Sequence, residues 1–196
     1  MDLSQILEIT SATDPGMVRS HNEDSIASDP ANGLVVLADG MCGYNAGEVA
    51  SGMATTVITT EIAQVLTSVQ PYDLGEDAKI LATRIVREQI LKANTSIYQA
   101  AQSQPQYAGM GTTLIVSLFY DNKVMIGHLG DSRVYRMRDG AFSQVTRDHS
   151  LLQEQIDSGL LTAEQAKTAA HKNPVPKARG RDPPAQPENP GKPART

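Results

Sequence analysis

The chain has one cysteine, Cys42, and no tryptophan in 196 residues. A single thiol excludes an internal disulfide framework and fits a reducing compartment, so a cytoplasmic location is expected. No apolar run approaches the roughly 20 residues that a membrane helix needs. The opening MDLSQILEIT lacks the basic start, apolar stretch and cleavage site of a secretory signal. No membrane association is therefore expected. The net charge is -5, which argues against a general nucleic-acid binder. Proline is scarce until the end, where seven of the 11 fall between Asn173 and Thr196. That stretch also lacks Leu, Ile, Phe and Met, so it has no face to offer a core. Its five basic and two acidic residues make it +3, which leaves residues 1–172 at -8. The expected organisation is an acidic domain over 1–172 and a basic, Pro-rich, irregular tail over 173–196. A body of that size can hide roughly 70% of its unfolded surface.

Within the body, Ile6 to Thr10 reads as a short strand, and Asp14-Pro15-Gly16 as a turn. Ser25 to Ser28 reads as a second strand. The apolar run Leu34-Val35-Val36-Leu37-Ala38 predicts a strand covered on both faces, ending in Asp39-Gly40. Val49, Met53, Val57, Ile58, Ile62, Val65, Leu66 and Val69 recur at helical steps and predict one apolar stripe. Asn45 is placed to cap that helix, with Glu48 three residues on. A second helix is predicted from about Asp77 to Ala101. The period then shortens. Thr112 to Tyr120 and Lys123 to Leu129 flank Asp121-Asn122, and Arg133 to Met137 and Phe142 to Val145 flank Asp139-Gly140. Both dipeptides are hairpin signals. Short helices are predicted over 150–158 and 162–170. This order argues for an α+β arrangement with apolar strands between helix layers.

Chemistry concentrates in three clusters: Arg19 to Asp24, Ala38 to Glu48, and Gly127 to Arg133. Asp39 stands where a strand meets a Gly-containing loop, a favoured place for ligands. Gly40 has no side chain to keep its carbonyl from a ligand. A carboxylate beside an accessible carbonyl suits a hard cation such as Mg²⁺ or Mn²⁺. Each cluster alone has a plain structural alternative. Asp-Gly is foremost a turn dipeptide. Asp131 could bond its own backbone, and Arg19 with Glu23 could be a surface ion pair.

Together the clusters form an ordered set: Arg-x-x-Asn-Glu-Asp, Asp-Gly-Met-x-Gly-x-Asn-Ala-Gly-Glu, Gly-Met-Gly-Thr-Thr, Gly-Asp-Ser-Arg and Thr-Arg-Asp-His-Ser. Over roughly residues 8–172 this set resembles the metal-dependent type 2C (PPM) Ser/Thr protein phosphatases, bacterial branch. The resemblance implies an antiparallel β-sandwich flanked by helix layers (αββα). It implies that Asp39 bridges two Mn²⁺ or Mg²⁺ ions and that the Gly40 carbonyl binds one of them. Glu23 and Asp24 would join the same acidic cluster, Glu23 through a metal-held water. Asp131 would serve an additional metal, giving two or three ions in complete members. Arg19 would grip the substrate phosphate. The implied reaction is attack of a metal-activated water on phosphoserine or phosphothreonine in proteins, with no protein nucleophile. The implied partners are such phosphoproteins, including a bacterial Ser/Thr kinase and its targets, met by a monomer.

The chain departs from the family in the loop after Gly40 and at its end. Cys42 stands where bacterial members usually have Gly, and is read as a tolerated small residue. Met41 stands where some relatives have a His proposed to protonate the leaving group. His128 is read as a core or supporting histidine, His21 as a solvated loop residue, and the Thr-Arg-Asp-His-Ser run around His149 as structural. The larger departure is at the end. The family's late Ser-Asp-Gly and Asp-Asn segments are absent, so the sandwich is expected to lack its C-terminal strands and one metal its aspartates. The alternative function is a catalytically impaired module that binds metal or phosphoprotein.

Overall fold

The computed structural model describes residues 3–41, 46–69, 77–149 and Thr162. The elements in chain order are β1 (Asp24–Asp29), β2 (Leu34–Met41), α1 (Ala46–Ser68), α2 (Ala78–Ser103), β3 (Gly111–Thr112), β4 (Leu114–Tyr120), β5 (Lys123–Leu129), β6 (Tyr135–Arg138) and β7 (Ala141–Gln144). Five strands form one antiparallel sheet in the order β1-β2-β4-β5, with β3 paired to the end of β2. β6 and β7 form a separate two-stranded ribbon. The α+β class and the antiparallel pairing agree with the sequence expectation. Among the described residues there is one helix layer. The predicted helices over 150–158 and 162–170, the N-cap at Asn45, the position of Cys42 and the tail over 173–196 lie outside the described residues.

Turn chemistry sets the hairpins as expected. Asp121 and Asn122 both have positive φ, 44° and 54°, as do Asp139 and Gly140, 51° and 77°. Two successive left-handed residues give the turn whose twist matches paired strands.

The sheet buries one face against the helices. Leu34, Val36 and Ala38 of β2 are fully buried, as is Val116 of β4, with Leu114 and Leu118 nearly so. They pack in one core with Ile58, Ile62 and Leu66 of α1 and Ile85, Val86 and Ile97 of α2. The opposite face of β2, with Val35, Leu37, Asp39 and Met41, is only half-buried. This corrects the reading of a strand covered on both faces. The cause is architectural, because α1 and α2 both pack on the same side.

Three further expectations change. Ile6 to Thr10 forms no strand; a single 3-10 turn, Leu3–Gln5, precedes it, and no described strand pairs with it. A strand without a neighbour has no ladder bonds to hold it. β2 also runs on through Asp39 and Gly40 to Met41, because β3 pairs with Gly40 and Met41. The apolar stripe of α1 is buried as expected only over its second half, where Ile58, Ile62 and Leu66 are enclosed; in the first half Ala46, Ala50 and Ala54 take the inner row, Val49, Met53 and Val57 are only partly covered, and Val69 at the far end is exposed. Small residues at i, i+4 let the helix axis approach the sheet closely. By length and composition alone, α1 is apolar enough to cross a bilayer, contrary to the sequence reading. Its Ala50, Ala54, Ile58 and Ile62 are instead wholly enclosed by the core.

Glycines mark where backbones meet. A Cβ on Gly40 would collide with the Gly47 backbone and lie 2.6 Å from the Glu23 carbonyl oxygen. A Cβ on Gly127 would meet only side-chain ends, Ile90 Cδ1 at 2.5 Å and Val86 Cγ1 at 2.7 Å. Gly40→Ala is therefore expected to cost more stability than Gly127→Ala, by at least ~1 kcal/mol, because backbone cannot rotate away. Gly52 lies in α1 with open space around its Cα. Gly52→Ala is expected to stabilise the chain by about 0.5–1 kcal/mol through helix propensity. Urea unfolding of the three variants and the wild-type chain checks both expectations.

Candidate active site

The site gathers where β1 begins and β2 ends. Asp24 and Asp39 are direct cross-strand partners, so both carboxylates project from the same sheet face. Like charges in this position repel, and a sheet gains nothing from them. Asp39 pays for its position in proton affinity. Burial, the Asp24 charge, a side-chain hydrogen bond with Asp24 and the Asp131 charge push its pKa up from 3.8 to about 6. Arg19 is near enough to oppose that rise. Asp39, Asp24, Asp131 and Arg19 thus form one electrostatic group, although they come from three separate sequence clusters.

The corner leading into β1 is held from several sides. The Asn22 side chain accepts the Asp24 N–H (3.0 Å) and donates to Thr13 Oγ1 (2.6 Å). Ser51 Oγ on α1 donates to the Glu23 carbonyl (2.6 Å). The Gly40 N–H donates to the same carbonyl (3.1 Å). Ser25 and Thr55 hydroxyls meet at 2.7 Å. Small polar residues on α1 therefore anchor the Glu23-Asp24 corner against the helix N-terminus. Gly40 acquires a role beyond an accessible carbonyl: its missing side chain lets Glu23 and Gly47 seat against β2.

Arg19 Nη1 donates to Glu23 Oε2 at 2.9 Å. The Arg19 side chain is 67% exposed and that of Glu23 is 15% exposed. The guanidinium thus sits at the solvent mouth of the cluster, with donors left for a second anion.

Asp131 sits in the turn after β5, and the Thr-Arg-Asp-His-Ser run supports that turn. Arg133 makes a forked bond to Asp148, Nε to Oδ1 at 2.9 Å and Nη2 to Oδ2 at 2.6 Å. The His149 N–H donates to the Gly130 carbonyl (2.8 Å), and the Gly130 N–H donates to His149 Nδ1 (3.3 Å). The structural reading of this run stands. The His128 ring lies 4.8 Å from that of His149. Burial, then His149, lowers the His128 pKa, as suits a neutral supporting histidine.

Thr112 and Thr113 were legible only as part of a motif, with no role attached. Both prove to grip Asp39. The Thr113 N–H donates to the Asp39 carbonyl (2.9 Å), and the Asp39 N–H donates to Thr113 Oγ1 (3.0 Å). Thr112 Oγ1 donates to the Asp39 carbonyl (3.0 Å). The signal that could have found them is the pair of hydroxyls at the break between β3 and β4, where a strand residue needs polar partners.

The donor set fits hard divalent cations. Three carboxylates share one electrostatic environment, with one nearby arginine opposing them, and oxygen donors suit Mg²⁺ or Mn²⁺. Among the described residues no group of three or more His, Cys, Asp or Glu side chains is placed to hold an ion by itself, so backbone oxygen and water would have to supply much of the shell.

The family model for protein phosphatase 2C matches residues 18–179. The serine/threonine protein phosphatase PstP of Mycobacterium tuberculosis is 34% identical over 173 residues, covering 88% of this chain and 31% of PstP. Protein phosphatase PhpP of Streptococcus pneumoniae is 34% identical over 192 residues, covering 93% of this chain and 71% of PhpP. The chain thus spans about a third of the length of PstP. A crystal structure of the M. tuberculosis phosphatase PstP/Ppp superposes with a TM-score of 0.74 at 32% identity, over 88% of this chain and 67% of that one. A PstP catalytic domain in complex with two manganese ions superposes with a TM-score of 0.65 at 34% identity, over 79% of this chain and 61% of that one. The chain belongs to the protein phosphatase 2C family and has the bacterial PPM fold.

The raised Asp39 pKa has a definite pH signature. The native state holds a proton that the unfolded state loses near pH 3.8, so stability falls as pH rises from about 4 to 6 and stays reduced above. In chelator at pH 7.5, Asp39→Asn is expected to be more stable than wild type by about 1–2 kcal/mol after solvent screening. The gap should shrink toward pH 4.5. Added Mn²⁺ should raise the wild-type melting temperature and leave that of Asp39→Asn nearly unmoved. Thermal melts at the two pH values, with and without metal, check both signs.

Proposed function

We propose that the chain hydrolyses phosphoserine and phosphothreonine in proteins, in a reaction that depends on Mn²⁺ or Mg²⁺. The observation that carries this reading is the Asp39 carboxyl, facing Asp24 across the sheet and sensing Asp131, at a mouth guarded by Arg19. Asp39, Asp24, Asp131, Glu23 and the Gly40 carbonyl would hold the ions. When bound, the ions supply Lewis acidity, which neutralises phosphoryl oxygens and makes water acidic enough to attack phosphorus at neutral pH.

The chain's own residues do the rest. Arg19 swings from Glu23 to clamp the phosphate, since a planar guanidinium matches two phosphoryl oxygens. Glu23, freed of that partner, orients water at the mouth. Asp39, held at both its N–H and its carbonyl, keeps its carboxyl in one place without reorganisation. The phosphoprotein partners include a Ser/Thr kinase and its targets, met in the cytoplasm by a monomer. A second reading, a metal- or phosphoprotein-binding module with impaired turnover, is favoured by the lack of any group of three or more His, Cys, Asp or Glu placed to hold an ion among the described residues.

Phosphate release from a phosphothreonine peptide in Mn²⁺ separates the two readings. Release that chelator and Asp39→Asn each abolish is the expected result. A folded, Mn²⁺-binding chain that releases none supports the binding module. Arg19→Ala is expected to lower kcat/KM about 10- to 100-fold, mostly through KM, from the loss of one charge-assisted contact. Steady-state kinetics on the same peptide measures the split.

A further inference from the structure

Thr113 is 1% exposed and lies in the single-residue break between β3 and β4. Its hydroxyl accepts the Asp39 N–H at 3.0 Å and meets the Ser132 hydroxyl at 2.7 Å. Its methyl side faces Gly130, where an added Cβ would come within 2.7 Å of Thr113 Cγ2. Gly130 has φ +101°, a conformation that L side chains rarely adopt. Asp131 lies between Gly130 and Ser132. One buried side chain therefore touches the backbone of one carboxylate and both neighbours of another.

We infer that Thr113 is a positioning residue that sets the spacing of Asp39 and Asp131 through a buried hydroxyl bridge to Ser132. The inference rests on the metal site proposed above, and it assigns Thr113 no contact with metal or substrate. A hydroxyl has one donor and two acceptor sites, so Thr113 can accept from Asp39 while still bonding Ser132. The bond to Asp39 fixes the end of β2, and the bond to Ser132 fixes the turn after β5. Without the bridge these two segments have no direct side-chain tie among the described bonds, and two like-charged carboxylates repel. His149 braces Gly130 separately, through its own N–H and ring. The bridge sets where the turn stands relative to β2, and the histidine sets how the turn is folded. Groups that orient metal-binding residues in this way typically change metal affinity 10- to 100-fold when removed.

The test uses the full chain, three single variants and the Thr113→Val, Ser132→Ala double variant. Thr113→Val keeps the shape and loses the hydroxyl, Thr113→Ser keeps the hydroxyl, and Ser132→Ala cuts the far end at a partly exposed position. Mn²⁺ binding is followed by calorimetry, and amide hydrogen exchange by NMR in chelator. Thr113→Val and Ser132→Ala are each expected to weaken Mn²⁺ binding about tenfold or more. The double variant should be no worse than the weaker single, and Thr113→Ser should stay within about threefold of wild type. Exchange should rise together at Asp39 and at 131–132 in Thr113→Val, and not in Thr113→Ser. A folded Thr113→Val with wild-type Mn²⁺ affinity overturns the inference. So does exchange that rises at Asp39 alone. If Thr113→Val does not fold, unchanged Mn²⁺ affinity in Ser132→Ala overturns it. If wild type takes up no Mn²⁺, the metal site itself fails, and coupled exchange at the two segments decides the bridge independently.

Discussion

Two strands bring Asp24 and Asp39 face to face, and the rest of the site follows from the cost of holding them there. Carboxylates at paired positions destabilise a sheet, and burial worsens the penalty by removing water that would screen them. The chain keeps the arrangement with neutral hydrogen bonds. Thr112 and Thr113 hold Asp39 by its backbone, Asn22 holds the Asp24 N–H, and Ser51 with Gly40 holds the Glu23 carbonyl. None of these bonds neutralises a carboxylate charge. The backbone around the cluster is tied at several points while Asp24, Asp39 and Asp131 keep like charges together, which favours taking up a cation.

The two helices serve that condition in different ways. The first half of α1 lies close to β1 and β2 because its inner row there is alanine, so Ser51 and Thr55 can reach the strand backbone and Ser25. α2 stands further along the sheet and supplies bulk, with Val86 and Ile90 lying over Gly127 and Ile85 buried in the same core. The ribbon of β6 and β7 adds little to the core: Tyr135 and Phe142 stack at 5.0 Å, with both residues and Met137 largely exposed. Its value to the site lies at its base, where Arg133 and Asp148 lock the strand ends beside Asp131.

Much of this was legible from local pattern. The hairpins at Asp121-Asn122 and Asp139-Gly140 follow from residues that tolerate positive φ, a property of the dipeptide and little else. The long helices follow from periodicity. The misreadings share one cause. Leu34 to Ala38 looked doubly covered, Ile6 to Thr10 looked like a strand, and the first half of α1 looked striped with large residues. Each of those judgements depends on what lies beside the segment in space, and apolar content alone does not say. Among the site residues, Asp39 and Asp131 stood out through their glycine neighbours, whereas Thr113 looked like an ordinary β-branched strand residue.

The order of the motifs by itself determined the family, the acidic character of the site and the candidates Arg19, Glu23, Asp24, Asp39, Gly40 and Asp131. These are matters of residue type and spacing, which a linear chain displays in full. Tertiary structure alone decided that Asp24 and Asp39 are opposite each other, that Arg19 rests on Glu23, and that Gly40 is needed for its missing side chain. It also decided that Thr113 joins two carboxylate-bearing segments. The physical reason is that pairing register and side-chain contact depend on distances across the sheet, and residues 74 apart in the chain meet only once it has folded.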